Sequence, residues 1–341
     1  MEFPLVSDDP LAVLRSTRPV VQATNHVRID HGALEQVATR LPQQSPLTVA
    51  WGEDLHYRDG TWRTAAWVFV LDALNFCFWS NDPQRRWRIS YGGESWDGYW
   101  ALVAALRRAV DDGEPVWDAA FLRDLDVTTV ETMLRPSDPA DPPIPLVEER
   151  WRNLTELGRG LLHFQTVHGA PADESPVQTL LRVADRSAVR LIEIVRRWFP
   201  SFDDAVEWNG SRVVFLKRAQ ILVADLSAAF SGVGPGAFHD LNELTAFADY
   251  KVPQVLRRLG ILRYDDALAG LVDSRTLIPA RSGYEIEIRA ATIWAVELLR
   301  QRLAARGSLM AAHEIDWALW QAGQSARDGD RPYHRTLTIF Y

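Results

Sequence analysis

Glu285-Ile286-Glu287-Ile288-Arg289-Ala290-Ala291-Thr292-Ile293-Trp294-Ala295-Val296 is the stretch on which the fold reading turns. Ile286, Ala290, Ile293 and Val296 recur at spacings of three and four. That spacing lines one face of an α-helix, so 285–305 reads as a strong amphipathic helix. The neighbouring segments follow it. Residues 146–164 and 176–198 carry long helical patterns, and 212–230 carries another that Gly232-Val233-Gly234-Pro235-Gly236 ends. His313 to Gln321 forms a short helix. Pro253 fits the first turn of a helix running to about Leu259, where Gly260 stops it. The tail, Thr336-Leu337-Thr338-Ile339-Phe340-Tyr341, reads as a strand.

Toward the N-terminus the pattern is mixed. Leu55 to Trp62 looks like a short hairpin turning on Asp59-Gly60. Residues 65–79 are apolar almost throughout and too long for one strand, so they read as a buried helix. Trp87 to Tyr91 alternates and runs into Gly92-Gly93, a strand and turn, and 97–110 returns to helical spacing. The fold class is therefore α+β, predominantly α-helical, with a few short strands near the N-terminal part and at the C-terminus. Arg135 to Pro145 holds five prolines in eleven residues, which excludes a helix. This stretch, 135–145, is either a subdomain break or a loop on one body spanning 1–341. A second soft region is Gly169 to Pro176. No repeat is visible.

The chain has 341 residues, 47% hydrophobic and 24% charged, the composition of an ordinary globular protein. Fourteen tryptophans are many; core packing accounts for most, and a site that stacks a flat heterocycle would use others. A net charge of −8 opposes avid binding to a nucleic-acid duplex, which needs a basic stripe. A compact anion needs only two or three positive groups. The single cysteine, Cys77, forms no disulfide framework or zinc site within the chain and reads as a packed apolar residue. Met1-Glu2-Phe3-Pro4 lacks a basic region followed by an apolar stretch, and no apolar run approaches the ~20 residues that span a bilayer. A soluble, cytoplasmic protein is expected.

Phe247-Ala248-Asp249-Tyr250-Lys251-Val252-Pro253 places one carboxylate between an aromatic ring and a lysine, just before a helix. Free N–H groups at that helix start favour an ionised Asp249. An anion there would stabilise positive charge on a sugar ring, and glycoside chemistry passes through such a cation. Phe247, two residues earlier, would stack a base on the same side. The plain alternative is that Asp249 only caps the helix. Lys217, Arg218 and Gln220 lie in the first turns of the 212–230 helix; Lys217, Arg218 and Lys251 suit a phosphate, and a solvated surface turn is the plain alternative. Asp225, on the same helix, reads as a structural partner. Asp316 and Gln321 sit about 140° apart around their helix with Trp317 between them, enough to cover one flat ligand, or simply to pack a helix. His313-Glu314 is not a zinc motif, since no second histidine follows at four. His56 is a further hydrogen-bonding candidate. There is no Walker loop, nucleophile elbow or dinucleotide fingerprint, and nothing predicts a metal or a redox cofactor.

Taken together, several stretches resemble the queuosine salvage protein family, the queuosine 5′-phosphate N-glycosylase/hydrolases. They are Trp67 to Trp79, Gly98-Tyr99-Trp100, Pro145 to Arg150, Phe215 to Asp225, Phe247 to Gln254, Glu285 to Arg289, the helix from Asp316, and Tyr333-His334-Arg335. The resemblance implies hydrolysis of queuosine 5′-monophosphate to queuine and ribose 5-phosphate, for queuine salvage to tRNA modification. It implies a fold like that of helix-hairpin-helix DNA glycosylases. It makes Asp249 the catalytic carboxylate, with Phe247 and Ala248 lining the base pocket, His56 touching the ligand, and Asp316, Trp317 and Gln321 at base-recognition positions. Some relatives carry an acid where this chain has Gln321, which removes a charged contact to the aminomethyl side chain of queuine at that position.

Two other readings stay open at this point. A non-catalytic binder of queuine or of a modified RNA would use the tryptophans for stacking. A DNA-lesion glycosylase of related fold would bind duplexes in a salt-sensitive way.

Overall fold

The computed structural model describes Phe3, residues 8–40, 55–80, Asp82, 85–324 and 330–341. Met1, Glu2 and Pro4, which enter the signal-peptide reading, lie outside the described residues. In chain order the elements are α1 (Val13–Gln22), β1 (Val27–Ile29), α2 (His31–Arg40), α3 (Trp62–Ala73), β2 (Arg88–Tyr91), β3 (Glu94–Asp97), α4 (Gly98–Asp111), α5 (Ala119–Asp124), α6 (Val127–Met133), α7 (Val147–His168), α8 (Pro176–Ala184), α9 (Ala188–Trp198), β4 (Ala205–Trp208), β5 (Ser211–Val214), α10 (Lys217–Ala229), α11 (Lys251–Arg258), β6 (Leu262–Tyr264), α12 (Asp266–Asp273), α13 (Gly283–Ala304) and α14 (Ala312–Ala322). The fold is mostly helical, with three two-stranded antiparallel sheets among the described residues: β1 with β6, β2 with β3, β4 with β5.

The 285–305 helix exists, but it is not amphipathic in its setting. Every side chain from Glu285 to Leu299 is buried, because α13 runs through the middle of the molecule against α1, α2, α11 and α14. A helix packed on all sides must pair its own charges. Arg289 does so with Asp204 at 2.9 and 2.5 Å, and Glu287 accepts from the amides of Asn25 and His26 at 3.2 and 2.8 Å. One buried apolar cluster runs from Leu11 to Leu319 and includes residues on both sides of 135–145. The Pro-rich stretch itself is tied down. Ser137 donates its amide to Arg88 and accepts the amide of Ser90 at 2.8 Å, and Ile144 is buried.

Five local readings change. The buried helix read over 65–79 is Trp62–Ala73, and 74–79 is not helical because the carbonyls of Leu74, Phe76 and Cys77 turn to the Arg150 guanidinium. The 55–62 hairpin is a turn into α3, because Asp59 accepts from Thr61 and Thr64, and Thr61 caps the helix through the amide of Arg63 at 3.1 Å. Residues 176–198 make two helices. Asp185 and Arg186 adopt left-handed backbone, φ 52° and 58°, and Ser187 caps α9 with the help of the Asp240 carboxylate. Residues 212–214 are strand, not helix, since Asn209-Gly210 forms a hairpin turn with φ of 48° and 73°. The tail carries no strand. It is held instead by a single parallel bridge from Arg335 to Leu277 and by burial of Tyr341.

Helix α7 is held against α5 by Gly158, where a Cβ would lie 2.3 Å from the backbone nitrogen of Arg123. No described helix is long and apolar enough to cross a membrane.

Candidate functional site

Three segments that are distant in sequence meet at a cavity of about 1170 Å³. Helix α10 contributes Lys217, Ile221 and Asp225; the segment before α11 contributes Phe247 and Asp249; α14 contributes Asp316, Trp317 and Gln321. The β2–β3 hairpin and the start of α4 close one side, and 330–335 lies near the mouth. The volume suits a nucleotide-sized ligand.

Asp249 is 8% exposed, and its Oδ1 accepts the amides of Lys251 at 2.9 Å and Val252 at 2.8 Å. Those are first-turn N–H groups of α11, as the sequence suggests. They do not dominate its titration, however. Burial pushes the Asp249 carboxyl above its usual range, and the Lys217 ammonium is the strongest opposing influence, ahead of the amides. Lys217 is 5% exposed and donates from Nζ to the carbonyl of Asn75 at 3.0 Å. Burial lowers it to about 8, opposed first by the Asp249 charge. The two form a buried acid–base pair on the cavity wall.

The backbone around Asp249 is fixed from behind. Arg289 Nε donates to the carbonyl of Ala248 at 3.1 Å while its two terminal nitrogens hold Asp204. The Asp204 side chain in turn accepts the amide of Lys217 at 3.1 Å, and its carbonyl accepts the amides of Phe215 and Leu216. One buried ion pair thus sets both Asp249 and Lys217. The amide of Phe247 donates to Asp316 at 2.9 Å. Burial, and next the Asp249 charge, push Asp316 well above the ordinary carboxylate range.

The structure brings together Asp249, Phe247, Asp316, Trp317, Gln321, His56, Lys217 and Lys251 as cavity residues. Trp317 crosses Phe247 edge-on at 6.4 Å between centroids, and Gln321 is exposed at the rim. His56 Nε2 lies 3.0 Å from the Tyr99 hydroxyl. Lys251 lies 5.4 Å from the Tyr333 ring, and burial lowers its ammonium. Two residues fall elsewhere. Ala248 is fully buried off the cavity wall, and its backbone carbonyl accepts from Arg289 behind the site. Arg218 lies off the cavity wall with its guanidinium on the carbonyls of Asp72, Ala73 and Ser201. Cys77 is buried, and burial pushes its thiol up to about 11.

Sequence reasoning gave no site role to Tyr99, Trp100 or Trp320 and read Asp225 as a structural partner; all four lie on the cavity wall. Gly98-Tyr99-Trp100 had no spacing that marks a site. Asp225 had one, since it follows Lys217 and Ile221 at i+8 and i+4 on the same helix.

A model of the queuosine salvage protein family matches residues 55–341. The chain is 48% identical over 333 residues to the queuosine 5′-phosphate N-glycosylase/hydrolase of Sphaerobacter thermophilus, covering 98% of each. It is 35% identical over 348 residues to the mouse (Mus musculus) protein of the same name, covering 97% of this chain and 99% of that one. The counterpart in Schizosaccharomyces pombe is 34% identical over 332 residues, 90% of each. With its cavity assembled from the same stretches that carry the resemblance, and a match over nearly its whole length, the chain belongs to the queuosine salvage protein family.

Proposed function

We propose that this protein is an N-glycosyl hydrolase that cleaves queuosine 5′-monophosphate to queuine and ribose 5-phosphate. The observation that carries the reading is Asp249: a buried carboxylate on the cavity wall, its Oδ1 held by two amides and its charge faced by buried Lys217. Among the described residues Oδ2 has no hydrogen-bond donor, which leaves it for the substrate sugar.

Queuine is a 7-deazaguanine. Carbon stands where guanine has N7, so protonation at N7 does not help the base leave. The barrier falls instead by stabilising the sugar cation as the bond from C1′ to the base nitrogen stretches. A fixed anion in a water-poor cavity does that without reorganising at the moment of reaction. The bonding pair goes to the base nitrogen, which gains a proton; water supplies the oxygen that bonds to C1′ and gives up a proton. In this reading Asp316, with Phe247 and Trp317, holds the base by an acidic group and aromatic faces; the Phe247 amide on Asp316 and the Phe247–Trp317 ring contact support it. The 5′-phosphate supplies binding remote from the bond broken. Lys251, with Arg86 near enough to influence its titration, is our choice of phosphate-binding residue. Lys217 serves as the partner of Asp249, and Arg218 as structural support for 72–73 and 201.

We further propose that 1–341 works as one domain in the cytoplasm, shaped like the helix-hairpin-helix glycosylases and without stable binding to duplex nucleic acid. The shared apolar cluster and the net charge of −8 support this.

Purified protein incubated with queuosine 5′-monophosphate should release free queuine, resolved by chromatography. Unchanged substrate would defeat the reading. Base binding without turnover would point to a carrier, and salt-sensitive duplex binding to a DNA-lesion glycosylase.

A further inference from the structure

Asp225 lies about 12 Å along α10 from Lys217, two turns further, with Ile221 between them on the cavity wall. It is 6% exposed, and among the described residues its carboxyl group has no hydrogen-bond partner. A buried, unpartnered carboxyl group is costly, and its place on a cavity wall indicates that a ligand completes it. Its surroundings narrow the ligand. The Tyr99 hydroxyl feels the Asp225 charge. The Tyr99 ring lies 5.2 Å from that of Trp100 and 5.7 Å from that of Trp320, and all three rings face the same cavity. A carboxylate among aromatic faces suits an organic cation.

The substrate of the proposed function carries one. Queuine has a secondary amine in the arm attached to C7 of the deazaguanine, protonated near neutral pH and well away from the glycosidic nitrogen. Gln321, neutral and exposed at the rim, offers this cation no charge. We propose that Asp225, with Tyr99, Trp100 and Trp320, is the subsite for the cationic arm and selects arm-bearing 7-deazaguanine nucleotides over plain ones. The inference rests on the proposed function and adds the residue that sets its specificity. Without ligand, burial and then the Asp72 charge push Asp225 well above the carboxylate range, opposed by Lys217. The arriving ammonium supplies the counter-charge that favours ionisation.

The test compares queuosine 5′-monophosphate with 7-deazaguanosine 5′-monophosphate, which lacks the arm, on wild type and Asp225→Asn. The variant should raise KM for the queuosine nucleotide by on the order of ten- to a hundredfold, the range for a lost charged hydrogen bond. The kcat should stay within about threefold, the KM for the armless nucleotide should not change, and Asp225→Glu should restore part of the preference. Equal losses on both substrates, or an unchanged KM for the queuosine nucleotide, would overturn the proposal. Should Asp225→Asn fail to fold, wild type is assayed with the arm amine acetylated. A higher KM supports the subsite and an unchanged one overturns it. If wild type cleaves neither nucleotide, the hydrolase reading fails, and calorimetry with queuine base decides the subsite alone. Weaker binding to Asp225→Asn supports it, and equal binding overturns it.

Discussion

Arg289 Nε donates to the carbonyl of Ala248 at 3.1 Å, one residue before the carboxylate that faces the cavity. A residue of the central helix therefore sets the position of Asp249 without touching the cavity itself. Arg289 is fully buried and paired with Asp204. Arg289→Ala would leave that acid buried without its counter-charge, so we expect a loss of about 3–5 kcal/mol in stability, read from urea midpoints, together with loss of turnover. A variant with unchanged midpoint and unchanged kcat would remove Arg289 from the support of the site.

Asp249→Asn keeps the size of the side chain and an acceptor for the α11 amides while removing the charge. We expect kcat to fall by about 10²–10³-fold, the scale of losing a fixed electrostatic stabiliser, with substrate affinity within a few-fold of wild type. Single-turnover and binding measurements separate the two. Full activity in the variant would exclude Asp249 from the mechanism.

Lys217→Gln removes the charge that most strongly opposes the effect of burial at Asp249. The Asp249 carboxyl should then rise further, and the acid limb of the kcat/KM profile should move to higher pH. An acid limb that stays in place would break the link between these two residues.

Stability should respond to pH through Asp72. Burial raises this carboxyl from 3.8 to about 7, and its Oδ2 has no partner among the described residues. Because the folded pKa is the higher one, the folded chain binds more protons than the unfolded chain between those values. The contribution of Asp72 is thus complete below about 3.8 and is lost as pH rises through about 7. Asp72→Asn should flatten the fall in urea midpoint between pH 5 and pH 7.5. A fall as steep as in wild type would contradict this assignment.

Gly158→Ala tests the packing of α7 on α5 far from the chemistry. The added methyl would meet backbone atoms of 119–123, which cannot swing aside as a flexible side chain would. We expect a loss of about 1–3 kcal/mol with kcat of the folded protein unchanged. A neutral midpoint would show that α5 yields.

The sequence made α4, α7, α13 and α14 legible through helical spacing, α3 through an apolar run too long for one strand, and α11 through Pro253 and Gly260 at its two ends. It misled where a local signal has two meanings. Asp59-Gly60 fits a hairpin, but Thr61 and Thr64 turn the same aspartate into the start of a helix. The apolar run after Asn209-Gly210 reads as the start of a helix, but its first residues pair back across that turn as a strand. Spacing also cannot distinguish a helix buried on one face from one buried on all, as α13 shows. In the site, Asp249 and Asp316 were legible because short motifs surround them. Asp225 was not, since its significance lies in residues far off in the chain that share the cavity with it, Tyr99 and Trp320 among them.

Asp204 and Arg289 stand 85 residues apart along the chain, and neither catalytic candidate is in place until they meet. No separate half of the polypeptide holds a finished centre, and a nick that lets the two drift apart would silence the protein outright. Partial, sluggish forms are not expected. Turnover should disappear in step with the cooperative loss of the whole native state.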